Sequence, residues 1–196
     1  MALDAQTDIS DDALMVLYAN GDRTAAYVLT HRITPRIVAY ASRVLSSDRA
    51  EAEDVAQETM LRLWRIAPDW RPGEAKVTTW AYRVATNLCT DKLRSGLRRR
   101  PVPLDDAPEI ADPGHGVVAE MVIADRREAL AAALDQLPRR QRQVVVLRNM
   151  EGLSNPDIAD IMGLGIEAVE SLNARGKRSL TALLAHRKPE LGYEDD

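Results

Sequence analysis

The sequence predicts an all-α protein of two helical domains joined by a flexible linker. Three observations carry that expectation. Apolar residues recur at intervals of three and four along nearly the whole chain, and no alternating run is long enough for a strand. One stretch, RRRPVPLDDAPEIADPGHG, breaks the pattern with four prolines and two glycines amid little apolar content. The expected boundaries are a first domain over 10–100, a linker over 101–117 and a second domain over 118–186.

Within the first domain the spacing predicts helices near 10–20, 22–33, 34–46, 48–66 and 78–97. Ser10 is a natural cap for the first and Gly21 a natural stop. Thr34 followed by Pro35 reads as a new start, because proline suits a first helical position where the amide has no partner to lose. The second domain predicts helices near 118–136, 138–150, 154–162 and 166–186. No internal repeat is present.

With 196 residues, 45% of them hydrophobic, the chain can build one or two real cores. No apolar run approaches the ~20 residues of a membrane span, and the opening MALDAQTDISDD is acidic where a leader would be basic and then apolar. A cytoplasmic protein with no membrane contact of its own is expected. A single cysteine, Cys89, excludes an internal disulfide and a Cys-rich zinc site, and His31, His115 and His186 have no ligand spacing. Neither metal nor cofactor is expected. No acid–base pair, nucleophile constellation or phosphate-cradling glycine loop suggests an enzyme.

The formal net charge of −4 averages over unlike segments. Residues 1–12, 104–112 and 190–196 hold four acids each and no base, and without those twelve acids the rest carries +8. The folded parts are therefore expected to be basic, with the acid mostly in tails and linker.

The stretch SNPDIADIMGLGIEAVESLNARGKRS has a capping-box-like start at Ser154 and Asp157, a glycine-broken turn, and a second helix. On a wheel of ~100° per residue, Val169, Leu172, Gly176, Leu180 and Leu183 gather on one side. Glu167, Glu170, Ser171, Ala174, Arg175 and Arg178 gather on the other, with Lys177 also late in the helix. This is the layout of a helix-turn-helix whose second helix can enter a major groove, although the wheel alone fits a solvated amphipathic hairpin equally well. The early acids suit a helix N-terminus, and a carboxylate can also accept from cytosine. Affinity for phosphate then has to come from PRRQRQVVVLRNMEG, which supplies Arg139, Arg140, Arg142 and Arg148. Asn173 falls beside the packing stripe and is assigned a structural role.

In TTWAYRVATNLCTDKLRSGLRRR, Trp80, Arg83, Asn87, Asp91 and Arg94 fall within about 80° of one another, above a stripe of Ala81, Val84, Ala85 and Leu88. A ring, hydrogen-bonding groups and guanidinium ions on one face suit unpaired bases, while Trp80 by itself is equally a core residue. The preceding helix, AEAEDVAQETMLRLW, has Ala52, Val55, Ala56, Thr59 and Leu63 inside. Outside it shows Asp54, Gln57, Glu58 and Leu61, a face that suits a basic protein partner or is solvated with one stray leucine.

In this order and spacing, AEDVAQETMLRLW, TTWAYRVATNLCTDKLR and LDQLPRRQRQVVVLRNMEGLSNPDIADIMGLGIEAVESLNARGKRSL resemble a bacterial sigma factor of the extracytoplasmic-function (ECF) type. The resemblance spans roughly 11–185. It implies that Asp54, Gln57, Glu58 and Leu61 dock on the β′ clamp helices of core RNA polymerase, and that the β flap is a further contact. Trp80, Arg83, Asn87, Asp91 and Arg94 would meet the melted promoter −10 element, with the loop 67–78 capturing a non-template base. Arg148, Glu167, Glu170, Ser171, Arg175, Lys177 and Arg178 would meet the −35 duplex. An anti-sigma partner is implied on the same ground. The sequence departs from the family at Val77, where phenylalanine often precedes Thr-Trp, and at Asn173. The competing expectation is an operator-binding helix-turn-helix regulator acting as a dimer.

Overall fold

The computed structural model describes residues 9–46, 48–96 and 117–185. Among them are eight α-helices and no strand: α1 (Asp11–Ala19), α2 (Arg23–Val44), α3 (Arg49–Ile66), α4 (Val77–Gly96), α5 (Val117–Asp135), α6 (Arg139–Val145), α7 (Asn155–Met162) and α8 (Ile166–Ala185). A 3₁₀ turn, Ala67–Asp69, follows α3, and a π-helical turn, Val146–Met150, follows α6.

The helix starts are set by short polar side chains. Ser10 accepts from the Ala13 amide, Asp22 from those of Thr24 and Ala25, Asp48 from that of Glu51, and Ser154 from that of Asp157. Each satisfies an amide that the first turn leaves without a partner.

The expected break at Thr34–Pro35 does not occur, and α2 runs through it. Proline inside a helix costs ~3 kcal/mol or more through a lost hydrogen bond and a ring clash. Here the buried stripe of Val28, Leu29, Ile33, Ile37, Tyr40, Ala41 and Val44 is continuous across Pro35. Each large apolar side chain of that stripe gains about 1.5–3 kcal/mol by burial, so a break that turned half of them outward would cost more than the proline does. Thr34, expected as a cap, instead has a buried hydroxyl without a hydrogen-bond partner.

Helices α1–α4 and α5–α8 form two groups, and their buried side chains belong to one continuous core that includes Leu29, Tyr40, Leu63 and Tyr82 with Leu134, Leu147 and Ile158. Helix α7 packs on α4, and α2 touches α5 and α6. The groups are also tied by polar contacts. Glu151 accepts from Arg43 at 2.8 Å and from the Tyr82 hydroxyl at 2.6 Å. Arg142 donates to the Val44 carbonyl at 3.0 Å, and Gln143 to the Thr90 hydroxyl at 3.1 Å.

Two expectations about charge change with the fold. Asp11 and Asp12 belong to α1 rather than to an acidic tail: Asp11 pairs with Arg32 at 2.9 Å, and Asp12 accepts from the Val77 amide that opens α4. Arg142 is no phosphate ligand beside the reading helix. It is only 7% exposed, and it bridges Asp135 to the end of α2. The acids of 104–112 and 190–196 lie outside the described residues.

Candidate nucleic-acid interface

Helix α8 sits on α6 and α7 through Val169 and Gly176, both buried. The turn before it is made by Gly163, whose φ of 62° is left-handed and strains any side chain with a Cβ. Opposite the packed side, Glu167, Glu170, Ser171, Ala174, Arg175 and Arg178 are all exposed, and Lys177, next to the packed side, is exposed as well. Ile166, at the mouth of the helix, is 47% exposed.

Several of these side chains are held by neighbours. Glu170 accepts from Asn155 at 3.2 Å, which anchors the acid to the start of α7. Arg175 Nε donates to the Ser171 carbonyl at 3.3 Å, so its guanidinium lies along the helix. Asn173 accepts from Asn149 at 2.8 Å and thereby joins α8 to the π-helical turn. Arg148 lies at the surface, but its Nη1 donates to the Leu153 carbonyl at 2.8 Å and braces the loop into α7.

On α4, Arg83, Asn87, Asp91 and Arg94 are exposed in a row, while Trp80 is half-buried and packs against the core. The inner side differs from the expected stripe. Ala81 and Ala85 are buried, but so are Tyr82, Thr86 and Cys89, whereas Val84 and Leu88 are only half-buried. The Tyr40 hydroxyl shares a 2.8 Å hydrogen bond with Thr86, and the Tyr40 and Tyr82 rings meet edge to face at 5.6 Å. Burial pushes the Cys89 thiol up to about 12, which leaves it protonated and inert. In the loop 67–78, Trp70 packs against the core with its buried indole N–H unpartnered, beside exposed Arg71, Pro72, Gly73 and Glu74.

A third face lies on α3. Ala52, Val55, Ala56, Thr59 and Leu63 are buried, and Asp54, Gln57 and Leu61 are exposed, Leu61 by 44%. Glu58 is partly covered and paired with Arg62 at 2.7 Å, and Asp54 lies 3.7 Å from Lys92. Leu61 forms one lip of a groove of about 400 Å³ whose floor is Val38, Ala56, Met60 and Trp64. The groove could not be read from α3 alone, because part of its wall comes from α2. Glu151 and Arg142 join the two groups of helices through residues distant in the chain, and an acid just after a basic run is the one local signal of it.

Two separate segments match families of known description: residues 29–100 match Sigma-70 region 2, and residues 127–180 match Sigma-70 region 4. That pair of regions defines the class, a sigma protein. The chain is 34% identical over 177 residues to the ECF RNA polymerase sigma factor SigM of Mycobacterium tuberculosis, covering 90% of this chain and 86% of that one. Among solved structures it resembles CnrH, in a complex with the cytosolic domain of CnrY, with a TM-score of 0.66, 26% identity and coverage of 90% and 97%. Its fold also matches the sigma factor RpoE of Bartonella quintana, crystallised with the anti-sigma factor NepR, at a TM-score of 0.61, 23% identity and coverage of 78% and 92%. The chain belongs to the ECF RNA polymerase sigma factors.

Proposed function

We propose that the chain directs core RNA polymerase to promoters by reading a −35 duplex with α8 and holding the opened −10 non-template strand on α4. The observation that supports this best is the coexistence of two exposed faces of different make. The α8 face, with acids, a hydroxyl and bases on a rigid helix over a packed stripe, suits base edges and phosphates in a major groove. The α4 face sets Arg83, Asn87, Asp91 and Arg94 beside the partly exposed Trp80, and suits unstacked bases. The division into a first domain over 10–100 and a second over 118–186 follows the same split.

The α3 face and its groove suit a basic helix that inserts one apolar side chain beside Leu61, the role proposed for the β′ clamp helices; the β flap would be met by the second domain. The mechanism is binding throughout, in the cytoplasm, and no bond in DNA is broken. Captured bases exchange stacking on neighbours for contacts in the protein, worth roughly 1–3 kcal/mol per aromatic contact. An anti-sigma partner is proposed because a protein of this fold is found with one.

The test is transcription from a promoter library by purified core polymerase with and without this chain. Enrichment of transcripts that share two upstream elements is expected. Transcription independent of the chain, or a chain that binds only symmetric duplex sites as a dimer, would overturn the reading.

A further inference from the structure

Of the arginines in PRRQRQVVVLRNMEG, Arg142 is buried against the end of α2 and Arg148 braces the loop into α7. Arg139 and Arg140 remain. Among the described residues neither side chain makes a hydrogen bond or an ion pair. Their place is fixed by Gln143, whose amide donates to the Thr90 hydroxyl at 3.1 Å. Residues three and four apart share a helix face, so Arg139 and Arg140 lie on the side of α6 that Gln143 turns to α4. By the same rule Asn87 and Arg94 flank Thr90 on α4.

These two faces wall a cleft of about 650 Å³, with Met162 of α7 also in its lining. Pockets of about 300–1,000 Å³ hold molecules of cofactor size. The charge in the cleft is one-sided. Arg94, Arg139 and Arg140 face it against a single carboxylate, that of Asp91, which stands 3.9 Å from Arg94. The excess is felt by a neighbour as well: burial lowers the pKa of Arg142, Asp135 raises it, and the charge of Arg139 lowers it again. A concave site lined by one sign of charge concentrates the opposite ion, and guanidinium forks match phosphate oxygens in two-point contacts. Phosphate alone would leave part of the lining unused. The exposed Asn87 amide can both donate to and accept from the edge of a base, and the Met162 thioether is a polarisable surface for its ring.

We propose that the cleft between α4 and α6 is a binding site for a nucleoside di- or triphosphate, with the phosphates on Arg94, Arg139 and Arg140 and the base between Asn87 and Met162. Asn87 and Arg94 also belong to the face proposed to hold the opened strand, so a bound nucleotide competes with the strand for them. That competition rests on the proposed function. The nucleotide site itself does not.

The experiment uses the full chain. Titration calorimetry measures the binding of ATP, GTP, AMP and inorganic triphosphate at one moderate salt concentration, and circular dichroism checks helicity in each variant. At least one nucleoside triphosphate should bind about tenfold more tightly than AMP, because added phosphates gain charge-assisted hydrogen bonds, and more tightly than inorganic triphosphate. Arg94→Ala, Arg139→Ala and Arg140→Ala should each weaken that binding about tenfold. Arg140→Lys, which keeps the charge and loses the fork, should weaken it less. Arg65→Ala, at an exposed arginine of α3 outside the cleft, should leave it unchanged. No binding by the wild type, an equal loss in Arg65→Ala, or inorganic triphosphate that binds as well as either nucleotide would overturn the site. Displacement of a labelled single-stranded −10 oligonucleotide by the tighter nucleotide is measured in parallel. Nucleotide binding that needs the three arginines but leaves the oligonucleotide in place supports the site and counts against α4 as the strand platform.

Discussion

Gly176 lies against Val145 so closely that a Cβ added to it would stand 2.5 Å from Val145 Cγ2. Glycine inside a helix costs about 1 kcal/mol relative to alanine, so its presence in α8 needs a reason, and the approach of α6 supplies one. Val145 is buried and β-branched and cannot swing aside. Gly176→Ala should destabilise the chain by about 1–3 kcal/mol despite the better helix propensity. Thermal unfolding measures the loss, and Val145→Ala in the same chain should recover part of it.

The α3 face predicts how polymerase docking fails. Leu61→Glu puts a charge on the lip of the apolar groove, and Asp54→Arg reverses the sign of the acidic surface beside it. Each should lower affinity for core polymerase by about tenfold, with helicity unchanged, because a central apolar anchor carries a large share of an interface. Unaltered affinity in both variants would remove this face from the mechanism.

The two DNA faces should fail in different ways. Arg178→Ala and Arg175→Ala should weaken protection of the upstream duplex and reduce the salt dependence of binding by about one unit of slope for each phosphate left unneutralised. Asn87→Ala should leave that protection intact and impair opening, and a pre-melted promoter should restore its activity. Equal rescue of Arg175→Ala by the pre-melted template would contradict the division of labour.

Asp157 predicts an acid-sensitive contact. The hydrogen bond from Ser154, and after it the ion pair with Lys76, hold its carboxyl below the ordinary 3.8, against an opposing effect of partial burial. A carboxyl whose folded pKa is depressed stabilises fully above its unfolded pKa, and that stabilisation is lost as pH falls through the folded value. Urea unfolding from about pH 5 down to about pH 2 should therefore show a stability loss below 3.8 that is smaller in Asp157→Asn. Identical pH profiles would rule out the contribution.

Cys89 should be silent in the folded chain. With its thiol raised from 9.0 to about 12, the thiolate fraction at neutral pH falls about a thousandfold, and the side chain is fully buried besides. Alkylation should track unfolding by denaturant, and rapid labelling of the native chain would contradict this.

What the sequence determined by itself is what repeats locally. The inner stripe of α3, the packed and open sides of α8, the caps Ser10 and Ser154 and the turn at Gly163 all follow from spacings of a few residues, because helix periodicity and amide capping act within one or two turns. Tertiary structure alone decided what depends on distant partners. Glu151 meets Arg43 and Tyr82 across 108 and 69 residues, and Arg142 meets Val44 across 98. In the sequence Arg142 is one more base in a basic run, Tyr82 one more residue near a stripe, and Pro35 a helix start. Docking of the two groups draws Arg142 and Tyr82 inward, and a continuous buried stripe carries α2 through Pro35. Burial by a remote neighbour leaves no local period, and at these residues it outweighs the preference that the local period expresses.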